Sequence, residues 1–455
     1  MNLYIPVEVK DRELYAKLLL TKYAVERDFN VILGKKNDLN RLILSMPKGI
    51  YYGLGIAENY NDFFEKLSKL GHLVVVGEEE GLITYSDEMY LDMRISPKTI
   101  KHVDLIFTWG MENFNIINQG RKNITSKLRV TGNPRLDLLK PNFSGVYQNN
   151  INSIRGKYNE FILVCTSFPS CNHFIKDINY VQSLIDKKTL KDKKSIKNFK
   201  KYQEVKSKTF RSFVEVIPEL AAAFPDTDII VRPHPSESKE IYEVLADKCK
   251  NVFVESRFSV HPWILCSKAV IHHYCTTSIE AFAAGIPRFS LRPLADTYSE
   301  KEIPFKCSHE FKTSSNLIEG IKSTLFKNLE IKDESKMRQD YEHYVLNMGK
   351  TISSDLIINE IINYIKINPK KNSIKDFFIF QSIKEFKGRV EFLLRKIIRN
   401  FFMKNHSSAD YTNHKFDALS LSEIEEVLHF YSKNDNAGFK CRRIDKHFVK
   451  ITKSS

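Results

Sequence analysis

The sequence predicts an α/β fold, with two doubly wound, Rossmann-like domains in tandem followed by a basic helical C-terminal extension. Two observations carry that reading. Short runs rich in Val, Ile and Leu alternate with stretches of helical periodicity, and the runs are continuously apolar, as strands covered on both faces of a parallel sheet are. The rhythm also breaks once and restarts, which divides the chain in two.

The first set of strands is expected at 2–8 (NLYIPVE), 30–34 (NVILG), 49–53 (GIYYG), 72–77 (HLVVVG), 104–110 (DLIFTWG) and 128–133 (LRVTGN). Between the first two, Tyr15, Leu18, Leu19 and Val25 fall at helical spacing. These elements give an N-terminal domain over 1–141. Polar, turn-rich residues follow, so 142–158 reads as a linker. The strands resume with FILVCTS (161–167), DIIVRPHP (228–235), NVFVES (251–256), KAVIHH (268–273) and PRFSL (287–291), giving a second domain over 159–330. Residues 331–368 are expected as helices packing back on the core and 369–455 as the basic extension. The last fifty residues carry no legible motif.

Composition narrows the function. The chain has 455 residues and a net charge of +15, from 70 Lys and Arg against 55 Asp and Glu. Such a field favours anionic partners: nucleotides, nucleic acid or an anionic membrane face. A nucleic-acid or scaffold role is disfavoured, because the lysines are not interleaved with aromatics on strands and no helix-turn-helix or RNA-binding motif appears. No run of 18 apolar residues is present and the N-terminus lacks the layout of a secretory signal, which suits a cytoplasmic protein. The seven cysteines are scattered with no CxxC pair, which argues for reduced thiols with neither a disulfide framework nor a zinc site. The Lys-rich stretch between Lys176 and Lys208 reads as a solvated insertion or surface helix. Residues 374–404 set Phe386, Val390, Leu393, Leu394, Ile397, Ile398, Phe401 and Phe402 opposite a row of Lys and Arg. That stripe fits an interfacial helix on the inner face of the cytoplasmic membrane. It equally fits a face packed on the protein body, and both readings stay open.

Three clusters sit just past expected strands, where ligands of such sheets bind. Glu78, Glu79 and Glu80, then Gly81, follow the strand ending near Gly77. Arg232, Pro233, His234 and Pro235 close the second. Its two prolines deny His234 a ladder or helical role, and a histidine fixed beside Arg232 suits a phosphate. Thr276, Thr277 and Ser278 follow KAVIHHYC, with Glu280 next on the expected helix. Hydroxyls and N–H groups there would suit an anion, while Thr277 with Glu280 also reads as a capping box that needs no ligand. A fourth motif, Gly132-Asn133-Pro134-Arg135, could aim Arg135 at a carboxylate or phosphate of a ligand, or pair Arg135 with Asp137 structurally. Asp226-Thr227-Asp228 precedes its strand, at the wrong end for a metal-binding DxD, so no metal is expected.

Taken together, EEEGL at 78–82, VTGNPRLDLLKP at 130–141, RPHPSE at 232–237 and HHYCTTSIEAFAAGIP at 272–287 resemble the bacterial surface carbohydrate biosynthesis proteins, over roughly residues 1–330. The resemblance implies a GT-B glycosyltransferase, with two Rossmann-like domains facing across a cleft. The same clusters are similar to the D/E-D/E-G, HP and S-S/T motifs of bacterial sialyltransferases. On that likeness Glu79 and Glu80 occupy the acidic motif that supplies the general base. His234 and Pro235 match the motif that binds the cytidine monophosphate (CMP) part of the donor. Thr276, Thr277 and Ser278 match the motif at the donor phosphate, and Glu280 the glutamate that often holds the ribose. The implied activity is transfer of a CMP-activated 2-keto acid sugar (sialic acid, Kdo or a related nonulosonic acid) to a glycan or lipid-linked glycan acceptor. The nucleotide sugar is then a substrate, and no further cofactor is implied. Polyol phosphate transferases that use CDP-glycerol carry a similar R-x-HP and stay open as an alternative.

Chemistry explains the grouping. Negative charge grows on the donor phosphate as the sugar becomes oxocarbenium-like, so fixed donors there stabilise the transition state. The acceptor hydroxyl loses a proton as it attacks, and a carboxylate can take it. Mutual repulsion in the acidic run is expected to raise the proton affinity of the working residue. Gly77 and Gly81 are expected to allow backbone conformations closed to other residues.

Overall fold

A computed structural model describes the whole chain except residues 85, 177, 187–189, 191, 295–302, 328–340, 369–389, 391–415, 417, 434–437 and 455. The chain divides into two units, one formed by residues 1–81, 94–138 and 341–455, the other by 82–93 and 139–340.

The first unit is built on an eight-stranded sheet. Six strands come from the N-terminal half: β1 (Asn2–Val7), β2 (Asn30–Lys35), β3 (Gly49–Gly53), β4 (Leu73–Gly77), β5 (Leu105–Thr108) and β6 (Leu128–Val130). All are parallel, and their order is β2-β1-β3-β4-β5-β6. The first helix, α1 (Lys10–Glu26), is buried on nearly every side. It contacts β1, β2 and the C-terminal strand Phe448–Lys453 of the sheet and also packs against the helices Ser353–Ile367 and Leu421–Ser432. A helix so enclosed must bury polar residues too, and Glu13, Lys17 and Thr21 form one buried row at i, i+4 spacing.

The second unit holds a six-stranded parallel sheet: β7 (Phe161–Cys165), β8 (Asp228–Arg232), β9 (Val252–Val254), β10 (Ala269–His272), β11 (Arg288–Leu291) and β12 (His309–Phe311), in the order β12-β11-β10-β7-β8-β9. The chain runs outward from β7 through β8 and β9, then returns to the other side of β7 with β10. The topological switch point therefore lies between β7 and β10, and the loops leaving these two strands flank it.

Two expectations change and a third gains one exception. Residues 142–158 are not a linker: they fall in helical turns over Pro141–Ser144, Gly145–Tyr147 and Gln148–Arg155. Phe143, Tyr147, Ile154 and Tyr158 are buried there, with Ile154 and Tyr158 in the second unit's core beside Trp263. The polar residues between them hid that spacing. The C-terminal residues add strands β13 (Phe439–Asp445) and β14 (Phe448–Lys453), a hairpin whose β14 runs antiparallel to β2 and extends the first sheet. The Lys-rich region contains the helix Lys193–Ala223, opened by a capping box between Asp192 and Ser195. Most of its lysines are exposed, but Lys206 is buried. Among the described residues no helix is long and apolar enough to cross a membrane. The amphipathic stretch 374–404 lies outside the described residues, apart from Val390.

Candidate active site

The three adjacent carboxylates after β4 separate into different environments. Glu78 is buried and turns inward, where it accepts hydrogen bonds from Arg94 and from the Glu80 N–H, each at 3.3 Å. Burial pushes its carboxyl up, aided by the charge of Glu80 and opposed by Arg94. Glu79 meets Lys17 at 2.5 Å, with the two side chains 9% and 3% exposed. Burial pushes Glu79 up, but Lys17, then Arg135 and Arg12, outweigh it and hold the carboxyl below the usual carboxylate range. Glu80 is about half exposed and lies 3.5 Å from Arg12. The expectation of a raised proton affinity therefore fails for Glu79, because the cations of α1 dominate over its acidic neighbours. Trp109 Nε1 donates to the Glu78 carbonyl at 2.6 Å and Asn113 to the Gly81 carbonyl at 3.3 Å, so the loop is pinned from beyond β5.

Glu13 supports the same cluster from α1. Its carboxylate accepts the N–H groups of Glu8 (2.9 Å) and Val9 (3.1 Å). Burial, then the nearby Glu79 charge, pushes it up. Lys17 thus serves two carboxylates of one buried cluster, and its Nζ also lies 4.5 Å from the centre of the Tyr52 ring. The role expected for Gly77 is also corrected. Neither Gly77 nor Gly81 has a positive φ, and a Cβ at Gly77 would meet the Tyr52 hydroxyl at 2.4 Å. Room for Tyr52, rather than backbone freedom, requires glycine at 77.

Gly132 does need its freedom, with a φ of +81° and the Asn347 side chain where a Cβ would stand. The following turn is capped by Asn133, whose side chain accepts the Arg135 N–H at 2.9 Å. Arg135 is buried, and its charge acts on Glu79. Asp137 is taken up elsewhere: it accepts from Asn347 (2.8 Å), the Ser353 N–H (3.0 Å), and the Ser354 N–H (2.9 Å) and hydroxyl (3.0 Å). Asp137 thus anchors the returning C-terminal segment, while Arg135 belongs to the acidic site.

In the second unit, the residues after β7, β8 and β10 converge. Glu237 is the brace. It accepts the Phe168 N–H (2.8 Å), the Thr166 hydroxyl (3.0 Å), the Tyr242 hydroxyl (2.8 Å) and the His234 N–H (3.2 Å), tying the exits of β7 and β8 together. His234 and Pro235 are exposed on that braced turn. The Ser236 N–H donates to His234 Nδ1 at 3.1 Å, so the neutral ring carries its hydrogen on Nε2. Arg232 is partly engaged by the protein itself. Its guanidinium donates to the carbonyls of Arg257 (2.8 Å) and Phe258 (3.0 Å) and packs 5.5 Å from the Trp263 ring, so it shapes the wall.

The hydroxyl motif divides likewise. Thr276 and Thr277 are half-buried, whereas Ser278 is buried and donates to the Cys275 carbonyl at 2.9 Å. Ser278 therefore closes its own turn and is withdrawn as a phosphate donor. The capping box does not form either: the helix starts at Thr277, Thr276 makes no side-chain cap, and Glu280 is buried with its carboxylate 3.5 Å from His261 Nε2. His261 is in turn bonded to the Tyr147 hydroxyl at 2.9 Å. Burial pushes up the thiols of Cys165, at the end of β7, and of Cys275, and nearby Thr277 opposes that shift at both. Asp228, of the Asp226–Asp228 trio, lies at the opposite end of β8 and accepts the Asn159 N–H at 3.0 Å.

Several residues of these clusters escaped sequence reasoning. Lys17 and Glu13 carried a faint signal, as charged residues four apart on an otherwise apolar helix. Glu237 stands inside RPHPSE, yet nothing in that string marks it as a brace. Arg94 and Trp109 carried none.

Residues 18–269, more than half of the chain, match the family model described as Alpha-2,8-polysialyltransferase (POLYST). The match includes Glu79, Glu80, Arg135, Arg232 and His234 and ends before Thr276. No curated protein matches the chain. Among solved structures, UDP-GlcNAc 2-epimerase from Methanocaldococcus jannaschii in complex with UDP-GlcNAc and UDP aligns at 15% identity and a TM-score of 0.50, over 80% of this chain and 100% of that one. The wall teichoic acid polymerase TagF aligns at 11% identity and a TM-score of 0.52, over 81% and 90%. These likenesses establish the GT-B-type fold.

Proposed function

Because the chain belongs to the alpha-2,8-polysialyltransferase family, we propose that it transfers sialic acid from a CMP-activated donor to a sialylated glycan acceptor. The observation that carries the reading is the acidic loop within the matched span, where Glu79 is buried against Lys17 with Arg135 and Arg12 acting on it. Buried titratable groups displaced from their ordinary range by specific partners cluster at functional sites. A carboxylate held in one place is also preorganised for proton transfer.

In this account Glu79 is the general base and is ionised throughout the neutral range. It takes the acceptor hydroxyl's proton as that oxygen attacks the anomeric carbon. The bond from that carbon to the phosphate oxygen breaks, and CMP departs with the electron pair. The Nε2–H of His234 and the hydroxyls of Thr276 and Thr277 stabilise the phosphate as its charge grows. Glu280, oriented by His261, is assigned to the ribose. Glu80, half exposed and solvated, is the second acidic position and is not required for the proton step.

Glu79→Gln leaves Lys17 buried beside a neutral group, so the test uses the pair of variants Lys17→Met/Glu79→Gln and Lys17→Met. Both should bind CMP. The double variant should transfer sialic acid roughly 10²-fold or more slowly than Lys17→Met, the scale of a general base, and Glu80→Gln should stay near the parent rate. Near-parent transfer by the double variant, or a 10²-fold loss in Glu80→Gln, would move the base role away from Glu79.

A further inference from the structure

Lys206 stands out among the charged residues of the second unit that no motif includes. It lies on the buried face of the helix Lys193–Ala223 and is 3% exposed. Its ammonium sits 5.2 Å from the centre of the Phe168 ring, 5.6 Å from that of Tyr202 and 5.8 Å from that of Tyr274. Placing an ammonium in the interior is costly, and three aromatic faces offset part of that cost. The location matters more than the burial. Phe168 follows β7 and Tyr274 follows β10, the two strands that flank the topological switch point. Open α/β sheets bind their ligands in that crevice. The charge of Lys206 also reaches the Cys275 thiol, directly before Thr276 and Thr277.

We infer that Lys206 is an anion-binding residue of the donor site, its ammonium held between the β7 and β10 exits to receive an anionic oxygen of the activated donor. The inference rests on the CMP-donor reading above and adds to it a cation from a helix outside every motif. Thr276 and Thr277 supply neutral donors there, and Arg232 is engaged with carbonyls. Lys206 brings a fixed positive charge to the same crevice. The anionic oxygen can come from the donor phosphate or from the sugar carboxylate.

The test is calorimetric titration of the full chain with cytidine, CMP and CMP-sialic acid, comparing the parent with Lys206→Met and Lys206→Arg. Met keeps an unbranched apolar chain among the rings, and Arg keeps the charge. Lys206→Met should weaken CMP binding roughly 10- to 100-fold, the scale of one charged hydrogen bond, and leave cytidine unchanged, while Lys206→Arg retains part of the affinity. A loss confined to CMP-sialic acid would assign the contact to the sugar carboxylate. The inference is overturned if Lys206→Met binds both anionic ligands like the parent, or weakens cytidine by the same factor, as a packing role would. Should Lys206→Met not fold, Lys206→Gln, which removes the charge but keeps a polar end, decides on the same terms: loss for CMP or CMP-sialic acid with cytidine unchanged supports the charge role, and equal loss for all three ligands, or none for any, refutes it. A parent that binds none of the three ligands refutes the donor reading itself.

Discussion

Lys17→Met isolates the interaction on which the acidic loop depends. The parent holds Lys17 and Glu79 2.5 Å apart with both side chains nearly inaccessible, so solvent screens little of their attraction. Removing one partner of a buried pair leaves an uncompensated charge and costs about 3–5 kcal/mol. The remaining Arg135 and Arg12 act on Glu79 more weakly than Lys17, which places the effect toward the lower end. The pH dependence supplies a sharper check. In the parent, Glu79 lies below its unfolded value, so its contribution is fully present above that value and is lost as pH falls through the folded one. Without Lys17, burial dominates and drives Glu79 upward. The native variant then binds the extra proton, and its deficit should shrink as pH falls from 8 toward 5. Urea unfolding of both proteins at pH 5, 6, 7 and 8 reads this directly. The acid limb of kcat/KM for sialyl transfer should move up in parallel. A stability difference below about 0.5 kcal/mol at pH 7, the level of an ordinary surface substitution, together with an unmoved acid limb, would refute the reasoning.

Further expectations concern the two units separately. His234→Ala should weaken CMP binding by about 1.5–3 kcal/mol, and Glu237→Gln should add little to it in the double variant, because Glu237 acts by holding the His234 turn. Asp137→Asn should destabilise the fold by about 1–3 kcal/mol, since the amide would turn a donor toward the N–H and O–H groups of residues 347–354; chemical unfolding measures it. His272, bonded to Ser308 at 2.7 Å, is pushed down by burial to about 3. Its folded value lies below its unfolded one, so its contribution is complete above pH 6.5 and is lost as pH falls from there toward 3. The loss has a limiting slope of about 1.4 kcal/mol per pH unit. A His272→Gln variant should show a flatter acid dependence in the same unfolding series.

The parallel core was legible because its strands announce themselves: Leu73–Gly77 and Phe161–Cys165 are short apolar runs buried at every position. The hairpin of β13 and β14 was not. Among the described residues β13 is an edge strand, paired with β14, and it carries Lys440, Arg442 and Arg443. Charges of that kind suit an edge strand but hide it from a search for hydrophobic runs. The acidic motif could be located but its ionisation could not be judged, because the decisive lysine stands 62 residues away. For the same reason the hydroxyl motif could not reveal that Ser278 turns inward, nor Arg232 that it serves Arg257 and Phe258. Sequence position identified the strand exits; only the packed structure distributes their side chains between buried and exposed positions.

The most direct test of the account is a donor panel of CMP-sialic acid, CMP-Kdo, CDP-glycerol and UDP-GlcNAc, each supplied with a sialylated oligosaccharide acceptor and scored for nucleotide release together with acceptor elongation. The account predicts CMP release and elongation from CMP-sialic acid, strongly reduced in the Lys17→Met/Glu79→Gln variant. Transfer from CDP-glycerol, CMP-Kdo or UDP-GlcNAc, with none from CMP-sialic acid, would contradict it.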